Sequence, residues 1–491
     1  MSSCYMNAQS IPVGLLLALS AWAAHAADVP PMPTTTPAAA GRSLPAGERS
    51  LQQVVSDYIR AGLEANLALQ SQEITYERSV AALAEARGAF LPSLSLEGRY
   101  TRADGGRQIT IPVGSLVNPI YATLNQLTQN STSPTQFQPL ADQRIDIQRQ
   151  REQQTALKIV QPLYAPKLAA GYRAQRAGTD SAAYSRDAFA ATLVRDIGVA
   201  YLDWCKANQA LRIVDANLET LNENVRISSK LFEAGKVTED QVLRARAELL
   251  AVQQQQLNAQ NGISRAQRYF NFLLNRDHEA PIEPAALPLV DTLAPIPLET
   301  LLERSMSRRA ELKQLNALQS AAEAGVDAAR ADYKPTLALA LEGGTQGENY
   351  GFGSDQRYAL GSVVFSWSLF SGNQTRARVN QAKWAAKASS VQIEQTRRQI
   401  SLQVQQAHED LLTALSALRT AQARDEVARA AFRIAARKRD AGVIPQVEFL
   451  DSRSSLADAQ SNLNLVRFDV FARAVELDYA AGTPASHLES P

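Results

Sequence analysis

Imidazoles and thiols, the side chains best suited to holding a metal or acting as nucleophile and base, are few in this chain of 491 residues. Its histidines are His25, His278, His408 and His487, and its cysteines are Cys4 and Cys205. None stands near another, or near an acidic cluster at metal-ligand spacing, so no zinc site, iron–sulfur cluster or disulfide framework is expected. No nucleophile–base set and no glycine-rich phosphate loop occurs, and carboxylates such as Asp57 and Glu311 read as helix surface. Neither catalysis nor a cofactor is expected. The charges balance, 50 Lys+Arg against 49 Asp+Glu, and a net charge of +1 excludes nucleic-acid binding driven by a basic excess. What remains is the chemistry of faces: apolar ones that need lipid or a partner, and polar ones that line water.

The elements that would carry such faces follow an export signal. An apolar run over residues 11–23 leads to Ala24-His25-Ala26, with small residues at the −3 and −1 positions, so residues 1–26 read as a signal peptide. Residues 27–48, rich in Pro, Thr and Ala, read as a disordered spacer. Beyond them no stretch approaches the roughly 20 apolar residues of a membrane helix. The exported chain is either soluble outside the cytoplasm or crosses a membrane as β-strands.

The remainder is duplicated. ARGAFLPSLSL at 86–96 resembles ARADYKPTLAL at 329–339, with Pro92 and Pro335 standing 243 residues apart. QPLY at 161–164 matches WSLF at 367–370, and LFEAG at 231–235 matches KRDAG at 438–442, at offsets of 206 and 207. The copies span 49–280 and 298–482, joined by a proline-rich linker at 281–297, and residues 483–491 form a tail. The falling offset puts an extra 37 residues in the first copy, somewhere between Thr101 and Ala156.

Proline is absent from 167–280 and from 336–444, and glycine from 373–441. The expected long helices run at about 168–234 and 238–275, then 374–441 and 445–481. A helix of such length is about 100 Å long at 1.5 Å per residue, several times the hydrocarbon core of about 30 Å. Apolar positions step in sevens, as at Leu211, Val214, Leu218, Leu221 and Val225, or Phe449, Leu456, Leu463 and Val470. This is coiled-coil patterning. Within it Trp204 and Cys205 read as packing residues. Gly235 and Gly442 mark tight turns between antiparallel helices.

Alternation appears at four places, more weakly at Leu157, Ile159 and Leu163, expected as strands at about 92–102, 155–164, 335–344 and 358–370. Leu94, Leu96 and Tyr100 oppose Ser95, Glu97 and Arg99, while Val363, Phe365, Trp367 and Leu369 oppose Ser362, Ser366 and Ser368. The length and dyad period suit outer-membrane strands, and half-buried soluble hairpins would show them too. Four strands cannot close a membrane barrel, which needs about eight. If they span a membrane, several chains share one barrel. The alternative is a soluble periplasmic coiled-coil structural or adaptor protein.

The order of these pieces resembles the TolC family of outer-membrane efflux proteins from about residue 51 to 482. The resemblance rests on FLPSLSL at 90–96, YKPTLAL at 333–339, WSLFSG at 367–372 and AGVIPQVEFLDSR at 441–453. It implies an α+β membrane protein: a homotrimer whose four strands per chain form a twelve-strand β-barrel in the bacterial outer membrane, continued by a long coiled-coil α-barrel across the periplasm. Such a protein is the exit duct of an efflux or type I secretion system, joined to an inner-membrane pump through a periplasmic adaptor (membrane fusion) protein and surrounded by outer-membrane lipid. Drugs, metal ions and secreted polypeptides are all compatible cargoes.

Carried over residue by residue, the resemblance makes 103–150 an extracellular loop with 345–357 its shorter counterpart. Pro92 and Pro335 become the passage from α-barrel to β-barrel. Glu448 and Asp451, one helical turn apart, become acidic rings that narrow the periplasmic end. Beside them lie the turns with Gly235, Glu239, Asp240 and Gln241, and with Arg439 and Gly442. A basic residue that the family's best-known member uses to tie this turn to neighbouring helices falls at Ile444. Arg437, Lys438 or Arg439 is expected to stand in for it. Without the resemblance, Glu448 and Asp451 read as solvated helix surface.

Overall fold

A computed structural model describes residues 49–106, 108–130, 136–147, 150–285 and 296–483. The expected signal peptide, the spacer, positions 286–295 of the linker and the tail from 484 onward lie outside the described residues. The first copy comprises α1 (Leu51–Ala65), α2 (Leu67–Gly88), β1 (Ser93–Arg102), β2 (Gln108–Ile111), α3 (Val113–Thr128), β3 (Gln143–Asp146), β4 (Arg151–Tyr164), α4 (Pro166–Glu233) and α5 (Glu239–Leu273). The second comprises α6 (Leu298–Arg308), α7 (Ala310–Ala331), β5 (Thr336–Gly347), β6 (Arg357–Ser366), α8 (Gln374–Asp440) and α9 (Gln446–Ala480).

Helices α4 and α8 have 68 and 67 residues, about 100 Å each at 1.5 Å per residue. Pro166 sits in the first turn of α4, where its missing N–H costs nothing. No described helix is long and apolar enough to cross a membrane. Helices α5 and α9, at 35 residues each, accompany only half of their partners. Along the other half α4 packs against α2 and α7, and α8 against α7.

Where the short helices meet end to end, the chain breaks without glycine or proline. Asn66 (φ −65°, ψ 121°) separates α1 from α2, and Arg309 (φ −56°, ψ 121°) separates α6 from α7. Each buried side chain reaches the last carbonyls of its own copy's returning helix. Asn66 Nδ2 donates to Leu273 O at 2.8 Å while Oδ1 accepts from Leu69 N at 2.9 Å. Arg309 Nη1 donates to Tyr479 O at 3.2 Å and Ala480 O at 3.4 Å. Last-turn carbonyls have no intrahelical partner, so these contacts join α2 to α5 and α7 to α9 as near-continuous columns.

Two apolar cores lie at these joints. In one, Val54, Val55, Ile197, Tyr201 and Phe270 of the first copy are buried together with Phe471 of α9, and Tyr58 stands edge-on to Phe270 at 4.9 Å. Gly62 lets α1 pack closely here, since a Cβ would lie 2.4 Å from Ile197 Cδ1 and that side chain would have to shift. The second core gathers Leu301, Leu312, Ile400, Val404, Leu411 and Leu477. The linker is held at Glu283, whose N–H donates to Tyr58 Oη and whose carbonyl accepts from Tyr201 Oη, both at 2.9 Å.

The sheet is antiparallel with order β1-β4-β5-β6, leaving β1 and β6 as its two edges. β4 begins at Arg151 rather than near 155, because Arg151 to Gln154 continue the ladder opposite Arg102 to Arg99. β6 ends at Ser366 rather than near 370. The long first-copy loop is more ordered than its Gly, Ser, Thr, Pro and Gln content suggests: β2 and β3 pair to extend the β1–β4 hairpin, and α3 stands at the tip. It nonetheless buries only Gly114 among its described residues.

Candidate channel wall and periplasmic tip

Register assigns every strand residue to one of two faces. One face carries Leu94, Leu96 and Tyr100 of β1, Leu157 and Ile159 of β4, Leu337, Leu339 and Leu341 of β5, and Val363 and Phe365 of β6. Leu96 is 73% exposed, Val363 65% and Phe365 61%. A continuous apolar face on this scale needs lipid or another protein against it. The opposite face carries Glu97, Arg99, Gln154, Lys158, Glu342, Tyr358 and Ser362, with Leu360 and Val364 among them, and several of its polar groups pair with one another. Tyr358 Oη donates to Glu342 Oε1 at 2.6 Å and accepts from Gln154 Nε2 at 2.8 Å, and Lys158 Nζ lies 3.8 Å from Glu97. Apolar-out and polar-in is the division of a wall between lipid and water.

Pro92 and Pro335 stand immediately before β1 and β5, where a residue without an N–H can leave a helix and enter a strand. The junctions are tied alike. Gln161 Nε2 donates to Phe90 O at 2.8 Å in the first copy, and Trp367 Nε1 to Tyr333 O at 2.9 Å in the second.

At the far end of the long helices the turns have one geometry. Gly235 (φ 65°) and Gly442 (φ 70°) occupy the left-handed region. Gly235 N and Lys236 N donate back to Phe232 O (2.9 Å) and Leu231 O (2.8 Å); Gly442 N and Val443 N donate to Arg439 O and Lys438 O, both at 2.8 Å. This is the paired closure that a glycine at C′ permits.

Glu448 lies in the first turn of α9 and Asp451 in the next, both exposed and without an ion pair among the described residues. In the first copy Glu239 and Asp240 are exposed in the first turn of α5 beside half-exposed Gln241, with Arg244 3.9 Å from Asp240. Arg439 is held within its own turn, and its charge also helps lower the pKa of the Glu223 carboxyl on α4 of the first hairpin. The Arg439 guanidinium stacks 4.0 Å from the Phe449 ring centroid and donates to Asp440 Oδ1.

The ties between the two hairpins come from α9 instead. Gln446 Nε2 donates to Ser228 Oγ at 3.0 Å, and buried Arg453 donates to Asn217 of α4 and, at 2.6 Å, to Glu248 of α5. Burial pushes the Arg453 guanidinium below its ordinary pKa while Glu248 opposes the shift. Sequence reading overlooked this arginine. Its signal was a charged residue four after Phe449 and three before Leu456, the spacing of the buried stripe.

His278 and His408 belong to no metal-holding cluster among the described residues. Burial pushes the Cys205 thiol up to about 12, as befits a packing residue.

The profile of the family described as outer membrane efflux protein matches residues 58–276 and 301–483, the two copies in turn. Outer membrane protein TolC of Escherichia coli K12 is 23% identical over 414 residues, covering 81% of this chain and 76% of that protein. The alkaline protease secretion protein AprF of Pseudomonas aeruginosa is 25% identical over 340 residues, covering 67% and 69%. Among solved structures the outer-membrane channel OprN shares the fold at 19% identity, with a TM-score of 0.73 over 90% of this chain and 94% of that one. The soluble adaptor reading gives no role to an exposed apolar sheet face, whereas a channel does. The chain belongs to the outer membrane efflux protein family, non-enzymatic channels of the bacterial outer membrane with a periplasmic extension that serve efflux or type I secretion.

Proposed function

We propose that three copies of this chain close one twelve-strand barrel, and that the resulting duct receives cargo from an inner-membrane pump through a periplasmic adaptor protein. The observation that carries the oligomer is the four-strand sheet with free edges at β1 and β6 and a largely exposed apolar face. Unpaired edges and an apolar face are both relieved when β6 of one copy pairs with β1 of the next in lipid. Extraction should require detergent and yield a heat-sensitive trimer with mixed helix and strand signal. A monodisperse monomer obtained without detergent would refute it.

We further propose that the tip of the second hairpin is the closed end of the duct, with Glu448 and Asp451 as its two acidic rings. Supporting this are their exposure, their spacing of one turn, and their freedom from basic partners. Three copies would bring six carboxylates together, about 5 Å apart along the axis, which repel one another and attract cations. The Gly235 turn with Glu239, Asp240 and Gln241 would stand outside the ring. Arg439 would stiffen the inner turn and Arg453 would moor it to the first hairpin. Pro92 and Pro335 would mark the step from α-barrel to β-barrel.

A further inference from the structure

The arm above the sheet, β2, α3 and β3, is built with apolar faces that nothing in its own chain covers. In α3, Asn118 and Asn125 point one way and grip the segment that follows the helix. Asn118 exchanges hydrogen bonds of 2.8 and 2.9 Å with the backbone N–H and carbonyl of Leu140, and Asn125 does the same with Phe137 at 2.7 and 2.9 Å. The opposite side of the helix carries Leu116, Ile120 and Leu127, which are 68%, 58% and 73% exposed. In the hairpin, Ile109 and Ile145 face each other across the ladder and are exposed, as is Ile111 on the same side. From Gln108 to Ala141 there is no Asp, Glu, Lys, Arg or His, in a chain of which 20% is charged.

We propose that these faces pack against the same arm in the other two protomers, forming an apolar lid over the outer mouth of the barrel. The inference rests on the trimeric reading above. Its geometry follows from where the arm begins. The arm extends the β1–β4 hairpin, so it joins the rim on the side of the β1 edge that the trimer turns into a seam between protomers. Twelve strands about 4.8 Å apart and tilted about 40° enclose a ring about 24 Å across. The 16 residues of α3 form a rod about 24 Å long and about 10 Å thick. Three such rods on a rim of that width meet whenever they lean inward, and exposed apolar faces favour that lean. A surface that copies itself around a threefold axis also meets its own charges there. Having none removes that repulsion, and it leaves little to hold the arm on charged lipid headgroups, which basic helix faces normally provide.

The test is disulfide trapping in purified trimers with Cys4 and Cys205 replaced by Ala. Leu116→Cys, Ile120→Cys and Leu127→Cys are made one at a time, with Thr110→Cys on the polar side of the hairpin as control. Trimer formation is read independently with an amine cross-linker. The expected result is copper-phenanthroline oxidation to linked dimers at one or more of the three helix positions, with loss of the monomer band, and none at Thr110. Intact trimers with no linkage at any of the three overturn the lid, and loss of the trimer overturns the oligomer reading instead. A fluorophore at Ile120→Cys quenched by brominated phospholipid in reconstituted vesicles would place the face in the bilayer and also overturn the lid.

Discussion

At the hinge between short helices the two halves place Asn66 and Arg309, each 26 residues before its proline and each bonded to the last carbonyls of its returning helix. At the tip the halves diverge. Counted from the turn glycines, Glu448, Asp451 and buried Arg453 correspond to Gln241, Arg244 and exposed Arg246. Sites where the copies agree are those the backbone requires: an extended break, a proline without a donor, a glycine with positive φ. Sites where they disagree lie at the two ends of the molecule, acidic in the second hairpin and apolar in the outer arm of the first. Duplication thus separates what holds the duct up from what one half alone does.

The mooring at Arg453 should break the comparison most visibly. Glu248→Ala leaves a buried guanidinium without its anion, an expected loss of about 3 kcal/mol, the lower end of the range because Glu248 is 40% exposed. The counterpart Arg246→Ala should stay within about 0.5 kcal/mol. Thermal melts followed by helix signal compare the two, and equal shifts would deny the tip its asymmetry.

The hinges should differ less. Arg309→Ala removes a bidentate pair with Glu311 (2.9 and 2.8 Å), a stack on Tyr479 and two carbonyl bonds, for about 2–3 kcal/mol. Asn66→Ala removes a cap and one carbonyl bond, for about 1–2 kcal/mol. Denaturant midpoints rank them, and the reverse order would contradict the assignment of Arg309 as the stronger joint. Smallest and equal should be the turn glycines: Gly235→Ala and Gly442→Ala each cost about 1–2 kcal/mol from the left-handed backbone alone, since a Cβ there meets nothing within 4 Å. Unequal melting shifts would show that the turns are not equivalent.

Much of this fold is written plainly. Long spans without proline or glycine give α4 and α8, and alternation against lipid gives β1, β5 and β6. The hinges escaped notice because Asn66 and Arg309 are not helix breakers; their extended backbone is set by carbonyls more than 160 residues away. The arm escaped because the Gly, Ser, Thr, Pro and Gln content of the whole segment reads as loop, although Pro112 only precedes α3 and the helix accommodates Pro119. For the tip, Glu448 and Asp451 drew attention only through family resemblance, since exposed carboxylates look like any solvated helix face. Arg453 was legible in principle, as a charge on a buried stripe.

The central claim is that the second hairpin, and not the first, presents the acidic constriction of the duct. Planar-bilayer conductance and reversal potential under a salt gradient test it directly, comparing the parent with Glu448→Gln/Asp451→Asn and with Glu239→Gln/Asp240→Asn. The account predicts a cation-selective, Mg²⁺-blocked pore that loses selectivity and block in the first double variant and keeps both in the second. Selectivity and block unchanged in the first variant, or lost in the second, would contradict it.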